Sequence, residues 1–212
     1  MKADYHDIVR HYEECLDKYG DSHLGVDWPK AGDVDKRYRV MTDIIRVNDD
    51  HLKVSLLDFG CGAAHLLEYI RRLNLSSIEY IGLDISQKFV DLCRKKFPDT
   101  KFYCGDVLDP SFEIPKADYI VLNGVFTEKR AMTFDQMWDY FTTMIAKIYA
   151  VCDKGIAFNV MSKNVDWERD DLFHVPTDML TGFLCKSLSR EFVIRSDYGL
   201  YEYTVYVYKR TR

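Results

Sequence analysis

From Lys53 onward, short apolar runs alternate with helical stretches, and this alternation restricts the fold more than any other feature. The runs are Val54-Ser55-Leu56-Leu57, Tyr80-Ile81-Gly82-Leu83, Phe102-Tyr103-Cys104, Tyr119-Ile120-Val121-Leu122 and Gly155-Ile156-Ala157-Phe158-Asn159-Val160. Helical patterns occupy 63–73, 86–96 and about 133–151. Apolar strands separated by helices make βαβ units and a parallel sheet covered on both faces. The rhythm breaks after a further helical stretch at 176–187. There Phe192-Val193-Ile194 and Tyr201–Tyr208 are separated by turn-like Ser196-Asp197-Tyr198-Gly199, a spacing that suits an antiparallel hairpin. Ahead of the alternation, the pattern predicts a helix over 4–19, with Ile8, Val9, Tyr12, Leu16 and Tyr19 near helical spacing and Gly20 as cap. A second helix is predicted over 34–48, and the Gly- and Pro-containing stretch 20–29 between the two reads as a loop.

At 212 residues the chain is expected to form one domain around one core. A net charge of −5 and the lack of a basic stripe argue against a nucleic-acid partner. Arg71-Arg72 and Arg94-Lys95-Lys96 read as solvated helix faces. The first residues carry no apolar core of a secretory signal, and no run approaches the roughly 20 apolar residues of a membrane span. The six cysteines are scattered, without a C-x-x-C pair or a cluster with histidine, so reduced thiols, a cytoplasmic location and no bound metal are expected.

The chemistry is concentrated at strand ends. The first strand runs into Asp58-Phe59-Gly60-Cys61-Gly62-Ala63-Ala64-His65, where two glycines permit a tight turn and close approach to a ligand at a helix N-terminus. A dinucleotide site would place glycine where His65 stands, and Asp58 would repel a pyrophosphate. A cationic nucleoside suits Asp58 better. The second strand ends in Gly82-Leu83-Asp84-Ile85-Ser86, so Asp84 is placed to accept from ribose hydroxyls, or else to cap the next helix, a role Ser86 fills better. After the third strand, Gly105-Asp106-Val107 offers either an acceptor for an adenine amine or a plain Asx turn.

Together, Leu56-Leu57-Asp58-Phe59-Gly60-Cys61-Gly62, Gly82-Leu83-Asp84, Gly105-Asp106 and Ala117-Asp118-Tyr119-Ile120-Val121 resemble the ordered motifs of class I S-adenosylmethionine-dependent methyltransferases, over about 53–160. The resemblance implies a Rossmann-like, doubly wound α/β fold with a seven-stranded sheet. Its order would be 3-2-1-4-5-7-6, with an antiparallel strand seven and the N-terminal helices as a lid. The implied layout is 1–50 as lid, 51–161 as cofactor-binding core and 162–212 as substrate loop and hairpin. The implied cofactor is S-adenosyl-L-methionine. Asp58 would place its methionine amine, Gly60, Cys61 and Gly62 would line it, and Asp84 with Ile85 would hold the ribose end. Asp106 would take the adenine amine with Val107 against the ring, and Asn123 would face the methionine end. Ala64 departs from the pattern, which often has glycine there.

The acceptor is less legible. Asn123-Gly124-Val125-Phe126 keeps the ends of the Asn-Pro-Pro-Tyr/Phe stretch of nucleic-acid amino-methyltransferases but neither proline. Asn123 also replaces the aspartate that a metal-dependent catechol-type enzyme needs. Trp28, Phe126, Trp167, Arg169 and Tyr201 are the expected substrate contacts, because function sits in loops grafted on a fold. His174 is the expected general base, with an ordinary pKa near about 6.5. The polar loop 164–174 favours O-methylation of a small polar metabolite or sugar. A small amine is the alternative acceptor, and a monomer or homodimer the expected state. From other classes, an NAD(P)-dependent oxidoreductase and a non-catalytic regulatory module that binds the same cofactor stay open.

Overall fold

In a computed structural model, which describes residues 5–46 and 53–210, the alternation folds as one twisted sheet with helices on both faces. The chain begins with α1 (His6–Tyr19) and α2 (Ala31–Thr42). Then follow β1 (Val54–Phe59), α3 (His65–Arg72), β2 (Ile78–Asp84), α4 (Gln87–Lys96) and β3 (Lys101–Cys104). Next are β4 (Ala117–Phe126), α5 (Phe134–Val151), β5 (Cys152–Ser162), β6 (His174–Val175) and α6 (Thr177–Ser187). The hairpin strands β7 (Phe192–Arg195) and β8 (Glu202–Tyr208) end the described chain. The sheet order is β3-β2-β1-β4-β5-β8-β7, with β8 antiparallel to both neighbours. Apart from β6, which pairs in parallel with the end of β5, this is the expected seven-stranded order. The second helix is shorter than the predicted 34–48; residues 47–48 of that range, and residue 4 of the first helix, lie outside the described residues.

Two apolar layers sandwich the sheet. One joins α5 and α6 to the sheet through Met137, Phe141, Ile145, Leu180 and Leu184; the other joins α2, α3 and α4 through Val40, Met41, Ile44, Leu66 and Val90. The two N-terminal helices therefore differ in kind. α2 is a wall of the core, and the tyrosines of β8 reinforce it: Tyr206 Oη donates to the Val40 carbonyl and Tyr208 Oη to that of Ile44. α1 buries only Ile8 and Cys15, and it crosses the carboxyl ends of the strands as the lid.

Local chemistry explains the bends at those ends. Gly60 and Gly62 have φ of 70° and 50°. Ala64 follows at φ 57°, in the left-handed region where the family pattern often has glycine. Holding a side-chain-bearing residue there costs about 1–2 kcal/mol, which the fully buried packing of Ala64 offsets. Near the end of β4 the pairing with β5 shifts register between Leu122 and Phe126, at Gly124 with φ 83°. This bulge carries the strand past the expected 119–122 and re-aims its last residues.

Candidate active site

The carboxyl ends of β1 to β4 and the inner face of α1 enclose a cleft of about 1110 Å³ that opens to solvent. Gly60 is obligatory here for space as well as conformation, since a Cβ on it would lie 2.6 Å from Val125 Cγ2. All nine residues expected to hold a cofactor line the cleft: Asp58, Gly60, Cys61, Gly62, Asp84, Ile85, Asp106, Val107 and Asn123.

Two of its carboxylates are close to neutral. Asp58 is buried, and burial pushes it up to about 7; the Tyr80 hydroxyl, donating to it at 2.7 Å, opposes the rise, and the charge of Asp84 adds to it. Asp84 is pushed up to about 6, again by burial, against stabilising N–H donors from Ser86 at 2.9 Å and Gly62 at 2.8 Å. A carboxylate offers about four acceptor positions, so Asp84 holds the glycine loop in place and keeps capacity for a ligand. Asp106 accepts from the Leu108 N–H at 2.8 Å, an Asx turn, and from the Tyr5 hydroxyl at 2.5 Å. The Tyr5 ring stacks on Tyr140 at 5.0 Å between centroids. Asn123 Oδ1 is buried and has no hydrogen-bond partner among the described residues.

A closed ring of contacts holds the far wall. The Gly124 N–H donates to Asn159 Oδ1 at 2.7 Å, and Asn159 Nδ2 donates to Glu202 at 3.1 Å. Glu202 accepts a forked pair from Arg37 Nε and Nη2 at 3.0 Å. The Arg37 guanidinium lies 3.9 Å over the Trp28 ring, and Trp28 packs so closely on Gly124 that a Cβ there would be 2.9 Å away. α1 is tied down by side chains at its rim: Tyr12 Oη to the Gly124 carbonyl, Ser86 to Glu13, and Lys88 to Asp17. Just past its end, Asp21 pairs with His65 and Lys96.

The expected acceptor contacts do not assemble. Trp28 lines the cleft, but Phe126 is fully buried against Tyr140 and Phe141 because β4 continues through it into the core. Trp167 is 69% exposed and lies against the exposed Tyr201, and Arg169 pairs with Asp171; none of the three lines the cleft. His174 sits in β6, with Nδ1 bonded to the Ser162 carbonyl at 2.7 Å and Nε2 accepting the Arg169 N–H at 3.2 Å. Both ring nitrogens are engaged by backbone, the ring lies outside the cleft, and these contacts anchor the 164–174 loop. The residues that do reach the cleft beside the cofactor motifs, and that the sequence reading missed, include Ile8, Val9 and Tyr12 of α1, Val26 and Tyr38. For Ile8, Val9 and Tyr12 the signal was the apolar face of the first helix.

A family model described as a methyltransferase domain matches residues 56–155. The Mycobacterium tuberculosis protein Rv1506c, provisionally assigned as a methyltransferase, is 29% identical over 161 residues, spanning 73% of this chain and 93% of its own. Among solved structures, the magnesium protoporphyrin IX methyltransferase of Synechocystis PCC 6803 with bound S-adenosylhomocysteine superposes with a TM-score of 0.67 at 14% identity, covering 97% of this chain and 100% of that one. Human N-acetylserotonin methyltransferase in complex with S-adenosylmethionine gives 0.62 at 15%, covering 97% of this chain and 65% of that one.

Proposed function

We propose that this chain is a class I S-adenosylmethionine-dependent methyltransferase that methylates an oxygen of a small molecule held beneath α1. The observation that carries this reading is a cleft that is short of a cation and of hydrogen-bond donors. Asp58 and Asp84 are both raised by burial, and Asn123 Oδ1 has no partner among the described residues. S-adenosylmethionine fits that deficit: it brings an ammonium, a sulfonium and ribose hydroxyls, and it supplies an already activated methyl group. Asp58 would take the ammonium, Asp84 the ribose and Asp106 the adenine amine, with Tyr5 giving way at Asp106. Trp28, Tyr12, Val26 and Val125 form an apolar wall that suits an acceptor with an apolar or aromatic body rather than a bare sugar. Burial holds the Tyr12 phenol far above its usual range, so it stays protonated and serves as a donor. The chain's main contribution is then alignment of two reactants, worth about 7–11 kcal/mol of barrier where the geometry is good. The free oxygen of Asn123 supports a second acceptor, a small amine, whose N–H it would accept.

Calorimetry with S-adenosylhomocysteine and with NADH tests the cofactor, and a screen of small phenols, alcohols and amines with labelled S-adenosylmethionine tests the acceptor. Binding of NADH with no response to S-adenosylhomocysteine would end the proposal.

A pH dependence follows. The folded protein without ligand keeps protons on Asp58 and Asp84 between the ordinary value of 3.8 and about 7 and about 6. It therefore binds more protons than the unfolded chain there, and loses stability as pH rises through that window. A cationic ligand favours the ionised carboxylates, so its affinity runs the other way. Affinity for S-adenosylhomocysteine is expected to rise roughly tenfold from about pH 5.5 to about pH 8. A flat calorimetric profile would separate these carboxylates from the ligand.

A further inference from the structure

Beside the cleft, four potential metal ligands from three segments converge among residues that do not line it. His11 and Cys15 stand one helical turn apart on α1, so both project from one face. Asp27 comes from the lid loop, where its positive φ of 56° folds the chain back toward α1. Glu128 follows β4 and is buried. His11 Nε2 lies 2.9 Å from Asp27 Oδ2, 3.8 Å from Cys15 Sγ and 3.8 Å from Glu128 Oε2. One ligand atom each from His11, Cys15 and Asp27 all fall within 4.8 Å of one another.

We propose that His11, Cys15, Asp27 and Glu128 form a structural site for a divalent transition metal, Zn²⁺ by its donor set, that clamps α1 to the lid loop and to the segment after β4. Tetrahedral zinc with one sulfur, one nitrogen and two oxygen ligands sets its ligand atoms about 3.3–3.6 Å apart; the three His11 spacings lie within about half an ångström of that range, and the spacing of Cys15 and Asp27, within 4.8 Å, would close by up to about 1.2 Å on binding. One thiolate, one imidazole and mixed oxygens favour zinc over magnesium or calcium, which take oxygen alone. Four protein donors leave no open position, which makes the site structural and not catalytic. The charges agree: two carboxylates and a thiolate around a dication leave one negative charge, and Arg130 lies 3.5 Å from Glu128. His11 and Cys15 have i, i+4 spacing in the sequence, and only the fold brings Asp27 and Glu128 to them.

The test is cobalt titration of the full chain after treatment with a chelator. One equivalent of Co²⁺ is expected to give the intense visible bands of a tetrahedral site and a thiolate-to-cobalt charge-transfer band, both abolished by competing Zn²⁺. Cys15→Ser should lose the charge-transfer band, and His11→Gln should lose stoichiometric binding. Both variants should still bind S-adenosylhomocysteine, which shows that they are folded and keeps this result separate from the methyltransferase assignment. No tetrahedral spectrum, or a charge-transfer band that survives Cys15→Ser and so belongs to another thiol, overturns the site.

Discussion

Replacing Glu202 by alanine is expected to lower the melting temperature by about 10 °C. The Glu202 side chain is 2% exposed and that of Arg37 13%. Removing one partner of a buried ion pair strands the other charge, which costs about 3–5 kcal/mol. In a chain of this size each kcal/mol moves the midpoint by about 2–4 °C. The damage spreads because Asn159 loses the acceptor of its amide and Arg37 loses what holds it over Trp28. Glu202→Gln keeps shape and one acceptor oxygen and should cost less. Differential scanning calorimetry decides the matter: a midpoint within about 2 °C of the parent would show that the ring of contacts behind Trp28 does little to stabilise the fold.

Asp84→Ala is expected to weaken S-adenosylhomocysteine binding by ~1–3 kcal/mol, roughly ten- to a hundredfold in Kd. The carboxylate acts twice. It offers acceptor positions to the ligand, and it holds the Gly62 N–H at 2.8 Å, so its loss also frees the turn that shapes the cleft. Unchanged affinity by calorimetry would reduce Asp84 to a turn residue.

The strands and helices were legible because their signals are local. Period-two and period-3.6 patterns and the Gly-Cys-Gly turn lie within about ten residues of one another, and the strand ends that carry Asp58, Asp84 and Asp106 follow from them. What was not legible depends on contacts across the chain. Arg37 and Glu202 are 165 residues apart and Tyr5 and Asp106 101 apart, and nothing near any of them marks the partner. Phe126 looked like a loop residue because the bulge at Gly124, which lets β4 continue, is set by Asn159 on another strand. The contacts of His174 with the Ser162 carbonyl and the Arg169 N–H were not legible because a two-residue strand such as β6 has no pattern to detect.

The unequal anchoring of the two N-terminal helices divides their amide protons into two classes. α1 is held by rim side chains and two buried residues, and exposed ion pairs contribute only about 0–1 kcal/mol each. Its amides should exchange with deuterated solvent through a local opening far cheaper than global unfolding. The amides of α2, which packs into the core and whose Val40 carbonyl, like that of Ile44 just beyond the helix, is bonded by a β8 tyrosine, should exchange only when the whole sheet comes apart. A ligand in the cleft would slow the first class and leave the second almost untouched, so exchange rates in residues 6–19 become a direct gauge of how often the cleft is open.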